Sequence, residues 1–159
     1  MFVIKRNGRR QPVSKKKIQT FLSHMGEAKV PNLLDTIMKG MPAEISSLHL
    51  NAYFANTVQA AGYGLVAGRI EMAQLHKTTS SSFTEAMMKL PLDPMFQSRI
   101  QNIHLDDEII HENDFTYDLF ALRTLKRSYL MKDEHDNIVE RPQYMLMRVA
   151  ASLYETKDQ

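Results

Sequence analysis

The first thirteen residues alternate between short apolar runs and turn-forming residues. Residues 2–5 are Phe-Val-Ile-Lys and residues 9–13 end in Pro-Val, with Asn7 and Gly8 between the two runs. Asn-Gly accepts the positive φ angles of a type I′ turn, so this pattern predicts a β-hairpin closed by that turn. Pro12 has no amide hydrogen to donate, which predicts that the second strand lies at an edge of its sheet.

Four amphipathic helices are predicted after the hairpin, because apolar residues recur there at every third or fourth position. Ser14 is suited to cap the first helix and Gly26 to end it, and Pro31 is suited to open the second. The third begins at Ser46 or Ser47. The inward-facing positions predicted for the four helices are Ile18, Phe21, Leu22 and Met25, then Leu33, Leu34, Ile37, Met38 and Met41, then Leu50, Tyr53, Phe54, Thr57 and Val58, and finally Val66, Ile70 and Ala73.

The second half of the chain is less regular than the first. Residues 78–82 are Thr and Ser only, which is typical of a linker or of a cluster of capping residues. Helices are predicted at 83–90, 96–104, 115–127 and 142–154, and a second short hairpin within 128–141. The predicted fold class is mainly α with a small N-terminal β-hairpin, divided into a four-helix unit over residues 1–78 and a helical segment over residues 79–159 that contains the second hairpin.

The composition limits the class of protein. The chain has 159 residues, of which 43% are hydrophobic and 24% charged, values typical of a globular domain. No apolar run approaches the roughly 20 residues of a membrane span, and no apolar stretch follows Lys5 and Arg6 that could serve as the h-region of a signal peptide. We therefore predict a cytoplasmic protein. The absence of cysteine excludes disulfides, thiolate metal sites and a cysteine nucleophile within this sequence.

Positive charge is concentrated at the start of the chain. Residues 1–80 contain eleven Lys and Arg against four Asp and Glu, whereas residues 81–159 contain nine against fourteen. A dense positive cluster predicts an anionic partner, such as a phosphate group, nucleic acid or an acidic protein, and a solvated charged face is the alternative. The cations within the first 17 residues are Lys5, Arg6, Arg9, Arg10, Lys15, Lys16 and Lys17.

Three of these cations occupy the first turn of the first predicted helix, at residues 15–17. A helix N-terminus carries partial positive charge, so each exposed cation there costs roughly 0.3–1 kcal/mol. Local rules that are broken together in one place usually mark a functional site. Backbone N–H groups at the helix start, surrounded by ammonium and guanidinium groups, would suit a chain of phosphates.

Other chemical motifs are absent from the sequence. Neither a Walker A phosphate loop nor a Rossmann glycine fingerprint occurs, and we attribute the spacing of Gly62, Gly64 and Gly68 to a turn and to close helix packing. The densest group of potential metal ligands matches no known catalytic helix motif, so we predict no metal site there. That group consists of His104, Asp106, Asp107, Glu108 and His111.

Longer strings of the sequence resemble the large subunits of class I ribonucleotide reductases. The strings that resemble the ATP-cone of those subunits are Phe-Val-Ile-Lys-Arg-Asn-Gly-Arg at 2–9, Pro12-Val13, Lys17-Ile18, Ala-Gly-Arg-Ile at 67–70 and Leu-His-Lys at 75–77. Those that resemble the helical region before the catalytic barrel are Asp-Phe-Thr-Tyr-Asp at 114–118, Thr-Leu-Lys-Arg-Ser-Tyr-Leu at 124–130 and Val-Glu-Arg-Pro-Gln-Tyr-Met-Leu-Met-Arg-Val at 139–149.

This resemblance implies an allosteric overall-activity site that binds ATP or dATP with magnesium and regulates deoxyribonucleotide synthesis. It implies no redox cofactor in this chain. The hairpin would contact phosphate and base, the strand-to-helix segment would wrap the nucleotide, the third helix would supply a hydroxyl, and the end of the fourth would supply a phosphate lysine. The implied nucleotide-binding residues are Lys5, Arg6, Gln11, Pro12, Val13, Ser14, Lys15, Lys16, Lys17, Ser47, Asn51 and Lys77.

Two features depart from the family pattern inside this implied site. Asn51 stands where many members carry an aspartate that faces the sugar. Lys15 and Lys16 replace the usual Phe-Asp before the next lysine. Both departures bear on how the site distinguishes ATP from dATP.

The catalytic chemistry of the family requires cysteines that carry a thiyl radical and reduce the ribose, and this chain has none. We therefore expect no nucleotide reduction by the chain alone and interpret it as a regulatory portion: a fragment, a split gene product or a shortened paralogue. One alternative is a truncated protein with weakened nucleotide binding that acts by association with reductase large or small subunits. Another is a nucleic-acid binder, which the lack of aromatic residues other than Phe2 near the hairpin disfavours. No membrane partner is expected.

Overall fold

The computed structural model describes residues 1–26 and 32–154. Within these ranges the chain forms eight α-helices and one three-stranded sheet, which confirms the predicted fold class. The strands are Phe2–Ile4 (β1), Arg10–Pro12 (β2) and Glu44–Ser46 (β3). The helices are Lys15–His24 (α1), Leu33–Gly40 (α2), Ser47–Ala60 (α3), Gly64–Thr78 (α4), Phe83–Met88 (α5), Pro94–Ile103 (α6), Leu119–Ser128 (α7) and Pro142–Leu153 (α8).

The described residues form two compact units. The first unit contains Met1–Glu71 and Tyr117–Phe120, and the second contains Met72–Thr116 and the chain from Ala121 onward. The domain limits of 1–78 and 79–159 stay a prediction. Across the described part of the chain, every helix is too short or too polar to cross a bilayer.

The N-terminal hairpin forms as predicted, but its turn differs from the prediction. The Gly8 amide donates to the Lys5 carbonyl at 2.9 Å, and the Lys5 amide donates to the Arg9 carbonyl at 2.9 Å. Gly8 has a φ angle of 77°, whereas Asn7 does not have a positive φ. The loop is therefore three residues long and ends in a left-handed glycine, so the type I′ prediction was wrong.

The sheet contains a strand that the sequence pattern did not reveal. Its strand order is β2-β1-β3, and β3 pairs with β1 in parallel, with Val3 opposite Ile45. β2 pairs with β1 on the other side in the antiparallel sense, with Gln11 opposite Val3. β2 is an edge strand, as Pro12 predicted.

The helices of the first unit surround one hydrophobic core. Leu22 of α1, Ile37 of α2, Val58 of α3 and Ile70 of α4 are fully buried in it, which confirms the predicted inward faces. The predicted opening of the second helix at Pro31 lies outside the described residues.

The second unit has a separate core built from α5, α6 and α8, in which Phe83, Met87, Ile100 and Tyr144 are fully buried. The helix predicted over 115–127 begins only at Leu119. The preceding residues, His111–Thr116, form a 3-10 turn, and its buried Asp114 accepts a hydrogen bond from the Gln143 amide at 2.9 Å. That long-range bond holds the tighter turn in place.

The second predicted hairpin is present in a reduced form. Lys132 and Ile138 form a single antiparallel bridge, and the Val139 amide donates to the Met131 carbonyl at 3.1 Å. Ser128 belongs to the end of α7 instead of the first strand of the hairpin. The predicted helix at the end of the chain is confirmed as α8, which Pro142 opens.

Candidate functional site

The register of the sheet determines which strand residues share a face of the sheet. Val3 lies opposite both Gln11 and Ile45, and Val3 and Ile45 are buried. Side chains alternate between the two faces along a strand, and directly paired residues share a face. Gln11 therefore lies on the same side of the sheet as the buried Val3 and Ile45, whereas Lys5 follows the last residue of β1 and is exposed.

Arg10 lies on the opposite side of the sheet and has partners there. Its Nη2 is 2.6 Å from the Glu44 carboxylate, and its guanidinium carbon is 3.7 Å from the centre of the Phe2 ring. These contacts join β2 to β3 across β1. Among the described residues, Arg10 thus differs from the other cations of the first 17 residues in having an acidic partner, a distinction that the sequence did not provide.

The start of α1 exposes the three lysines at 15–17. Ile18 and Leu22 are buried in the core, and the Ser14 hydroxyl caps the helix by accepting from the Lys17 amide at 3.4 Å. No acidic residue occupies the first turn, so the unfavourable interaction with the helix dipole persists in the folded state.

The remaining cations of this region have no acidic partner among the residues that the structure describes. This group comprises Lys5, Arg6, Arg9, Lys15, Lys16 and Lys17, all of them exposed. We call it the unpaired basic cluster. Its local potential is positive, and an anionic ligand would relieve the repulsion among its members.

The start of α3 lies at one end of β1 and the start of α1 lies at the other. Ser46, the last residue of β3, is opposite Ile4, whereas Pro12, the last residue of β2, is opposite Phe2. Ile4 and Phe2 are two residues apart, which corresponds to roughly 7 Å measured along β1. Lys5 and Arg6 therefore follow β1 at the end where α3 begins, whereas Gln11–Lys17 lie at the end where α1 begins.

Ser46 caps α3, so Ser47 does not. The Ser46 hydroxyl accepts from the His49 amide at 3.2 Å and lies 3.1 Å from the His49 Nδ1. Ser47 and Asn51 are one turn apart on α3, and both are half-buried. Sequence reasoning did not identify His49. The signal available was the Ser-x-x-His spacing after a strand, which resembles a capping box.

Lys77, the predicted phosphate lysine, is exposed in the last turn of α4 and belongs to the second unit. The end of α4 is held by Arg141, which donates to the carbonyl oxygens of His76 at 3.2 Å and Thr79 at 3.3 Å. The His76 side chain pairs with the buried Asp114 at 2.9 Å. These contacts fix the backbone that carries Lys77.

A buried polar network in the second unit was missed at the sequence level. Glu140 is fully buried and accepts from Arg148 at 2.5 and 3.2 Å and from the Met131 amide at 2.8 Å. Burial raises the pKa of the Tyr144 hydroxyl to about 12, and this group donates to the Ser80 carbonyl at 3.0 Å. Both sets of contacts tie α8 to other segments of this unit.

The acidic cluster near residue 106 has a structural role. The Asp106 carboxylate accepts from the Phe83 amide at 2.6 Å and from the Thr84 hydroxyl, at the start of α5. Desolvation raises the pKa of Asp106, but the hydrogen bonds from Thr84, Ser82 and Phe83 outweigh it, and the net pKa is lowered. In the described ranges no three His, Asp or Glu side chains are grouped as metal ligands.

Two known domain families match parts of the chain. Residues 1–78 match the ATP cone domain, and residues 115–159 match the ribonucleotide reductase all-alpha domain. The chain therefore matches the N-terminal domains of ribonucleotide reductase large subunits, and the resemblance inferred from its sequence is confirmed.

Individual relatives align with almost the whole chain. It is 34% identical to the ribonucleoside-diphosphate reductase large subunit of Arabidopsis thaliana over 98% of its length. It is 30% identical to large chain 2 of the Saccharomyces cerevisiae enzyme over 97% of its length, and 30% identical to the Danio rerio large subunit over 98%. The chain spans only 22%, 21% and 23% of the length of these three relatives.

Proposed function

We propose that residues 1–78 bind ATP or dATP, with magnesium, and that the chain is an allosteric regulatory region of ribonucleotide reductase. The observation that carries this proposal is the unpaired basic cluster around β1 and the first turn of α1. Its members Lys5, Arg6 and Lys15–Lys17 coincide with positions at which the family resemblance implies nucleotide contacts. An ATP cone is a nucleotide-binding regulatory domain, and the local charge provides the ligand preference that such a domain needs.

The chemistry of the proposed site follows from its side chains. Lys5, Arg6 and Lys17 donate charge-assisted hydrogen bonds to the triphosphate, while Lys15 and Lys16 contribute positive potential. Gln11–Ser14 provide the wall of the site. Ser47 and Asn51 face the sugar from adjacent turns of α3.

Association with reductase subunits is the second part of the proposal. The whole relatives are large subunits of an oligomeric enzyme by their names, and the present chain has no cysteine with which to reduce a ribose. We propose that it acts in the cytoplasm in association with reductase subunits. Nucleic acid is a less favourable ligand, since Phe2 is engaged by Arg10 and is not available for base stacking.

Calorimetric titration of the purified chain with ATP and with dATP tests nucleotide binding directly. We expect saturable binding of one triphosphate per chain, with affinity that falls as salt is added because the contacts are ionic. The absence of saturable heat with either nucleotide would contradict the proposal. Comparable binding to any DNA, with a steep salt dependence, would support the nucleic-acid alternative.

Loss of a phosphate lysine is expected to weaken ATP binding. Each charge-assisted hydrogen bond is worth roughly 1.5–3 kcal/mol, so Lys5→Ala and Lys17→Ala should each raise the dissociation constant for ATP about tenfold or more. Both side chains are exposed, so the thermal unfolding midpoint should change little. Lys39→Ala, at an exposed position in the last turn of α2, is the matched control and should bind like the parent. If Lys5→Ala and Lys17→Ala also bind like the parent, the triphosphate is not held here.

Asn51 is expected to make the site indifferent to the ribose 2′-hydroxyl. An aspartate at this position could accept hydrogen bonds from ribose hydroxyls and orient nearby cations, whereas a neutral amide offers both a donor and an acceptor. We expect ATP and dATP to bind within a few-fold of each other, and Asn51→Asp to restore a preference between them. Competition titrations would measure both ratios.

A control separates the effect of charge from the effect of position. Gln59→Glu adds the same negative charge at an exposed position near the other end of α3 and should leave the ATP to dATP ratio unchanged. A parent chain that already separates the two nucleotides by about a hundredfold would show that Asn51 does not have this role.

A further inference from the structure

The three lysines at the start of α1 leave the helix in different directions. Successive residues of an α-helix are about 100° apart around its axis, so Lys15, Lys16 and Lys17 spread over roughly 200° of the first turn. Ile18, the next residue, is buried in the core, and the three lysines are exposed. The spread therefore lies on the solvent side of α1, where the lysines are placed to hold separate phosphate groups instead of converging on one.

The surroundings of these lysines leave their charge uncompensated. Residues 15–24, which form α1, contain no Asp or Glu. Glu44 is paired with Arg10, whereas Lys15 and Lys16 have no acidic partner within residues 1–26 and 32–154. The three adjacent cations repel one another and also oppose the helix dipole. An anion that extends around the first turn of α1 would relieve both sources of repulsion.

A triphosphate uses only part of this charge. In the nucleotide site proposed above, the triphosphate accepts hydrogen bonds from Lys5, Arg6 and Lys17. Lys15 and Lys16 then contribute positive potential but hold no phosphate group of their own. They precede Lys17 directly in the sequence, so a phosphate chain that continues past Lys17 reaches them first.

We propose that this site also binds ligands whose phosphate chain is longer than a triphosphate, with Lys15 and Lys16 holding the additional phosphate groups. Nucleoside tetraphosphates, dinucleoside polyphosphates and inorganic polyphosphate share this chemistry. The inference rests on the proposed nucleotide site and assigns a second class of ligand to it. Charge-assisted hydrogen bonds from the two ammonium groups supply the additional affinity, and the longer ligand competes with ATP.

Calorimetric titration with adenosine 5′-tetraphosphate and with ATP, in one magnesium buffer of fixed ionic strength, tests the inference. We expect one tetraphosphate to bind per chain and to displace ATP. Its affinity should exceed that of ATP about tenfold or more, as one additional charge-assisted hydrogen bond provides. Equal affinities for the two ligands would overturn the inference.

Variants separate a contact with the additional phosphate from a general effect of charge. Lys16→Ala should remove most of the difference between the two ligands, whereas Lys16→Arg, which keeps the charge, should retain it. Lys5→Ala should weaken both ligands by a similar factor, since Lys5 contacts the part that they share. Lys39→Ala removes one positive charge from an exposed position of α2 and is the matched control, expected to leave the ratio of the two dissociation constants unchanged.

Thermal unfolding shows whether these variants remain folded. Lys16 is exposed and its charge is unfavourable at the start of a helix, so Lys16→Ala should not lower the Tm. A normal Tm together with an unchanged ratio of dissociation constants would overturn the inference. So would loss of the difference in Arg9→Ala but not in Lys16→Ala, because Arg9 lies at the hairpin loop, where its carbonyl accepts from the Lys5 amide.

The remaining outcomes identify the source of the phosphate chain and separate the two proposals. Displacement of ATP by inorganic tetraphosphate as effectively as by adenosine 5′-tetraphosphate would support the inference with inorganic polyphosphate as the ligand. Stronger displacement by the nucleotide would support it with a nucleoside polyphosphate. Binding of several tetraphosphates per chain would show unspecific attraction and overturn it. A parent that binds ATP without preferring the tetraphosphate contradicts only this inference, whereas one that binds neither ligand also contradicts the nucleotide proposal.

Discussion

Arg148→Ala is expected to lower the free energy of unfolding by about 3–5 kcal/mol, since it leaves a buried carboxylate without its cation. Glu140 is fully buried, and both of its carboxylate oxygens accept hydrogen bonds from the Arg148 guanidinium. In the variant the Met131 amide is the one donor left to Glu140 among the residues that the structure describes. Urea denaturation measures the change in the free energy of unfolding. Circular dichroism is a suitable probe because the chain contains no tryptophan.

An exposed ion pair provides the matched control for this prediction. Lys132 and Asp136 are 2.8 Å apart, and their side chains are 36% and 83% exposed. Such pairs contribute roughly 0–1 kcal/mol, so Lys132→Ala should change stability by less than about 1 kcal/mol. The double variant Glu140→Gln/Arg148→Met should recover part of the loss, because it removes the charge together with its partner. If Arg148→Ala and Lys132→Ala have equal effects, burial does not decide the strength of the pair.

Gly68→Ala is expected to destabilise the first unit by about 2–3 kcal/mol, even though alanine is the better helix former by about 1 kcal/mol. Gly68 lies in the middle of α4 and is buried. A methyl group there would be 2.7 Å from the Asp118 carbonyl carbon and nearer still to the Tyr117 carbonyl oxygen. Both contacts are with backbone atoms, which cannot rotate away as the end of a side chain can.

Gly64→Ala separates this steric effect from helix propensity. Gly64 begins the same helix, and its nearest neighbour would be the Gln59 side-chain oxygen at 3.3 Å, which is free to move. We expect Gly64→Ala to be close to neutral. Thermal unfolding of both variants measures the difference, and a neutral or stabilising effect of Gly68→Ala would show that residues 117–118 do not pack on α4 as described.

The helices were predictable because their signals are local. Apolar residues at helical spacing form one face of a helix, and that face is buried whichever element packs against it. The core positions of α1 to α4 could therefore be predicted without knowing which elements pack against them. Ser14 and Pro142 marked helix starts through their own backbone chemistry. The start of α7 was misplaced because residues 111–116 owe their 3-10 turn to a hydrogen bond between Asp114 and Gln143, which lie 29 positions apart.

The candidate site was predictable in its charge but not in its arrangement. The excess of lysine and arginine and the breach of the helix-dipole rule at 15–17 are visible in the sequence and persist in the structure. That Arg10 differs from its neighbours depends on Glu44, which belongs to a strand 34 positions further along. The capping of α3 by Ser46 instead of Ser47 likewise depends on where β3 ends.

The sequence by itself determined the helix faces, the edge position of β2, the positive charge of the first 17 residues and the resemblance of the chain to reductase large subunits. Each of these depends on residue type and spacing along one segment. Only the tertiary structure decided that three residues at 44–46 form a strand, that Arg10 pairs with Glu44 of that strand, and that the buried carboxylate of Glu140 pairs with Arg148. These features arise from pairing between distant segments, because a strand of three residues and a buried ion pair are stable only when the rest of the fold supplies their partners.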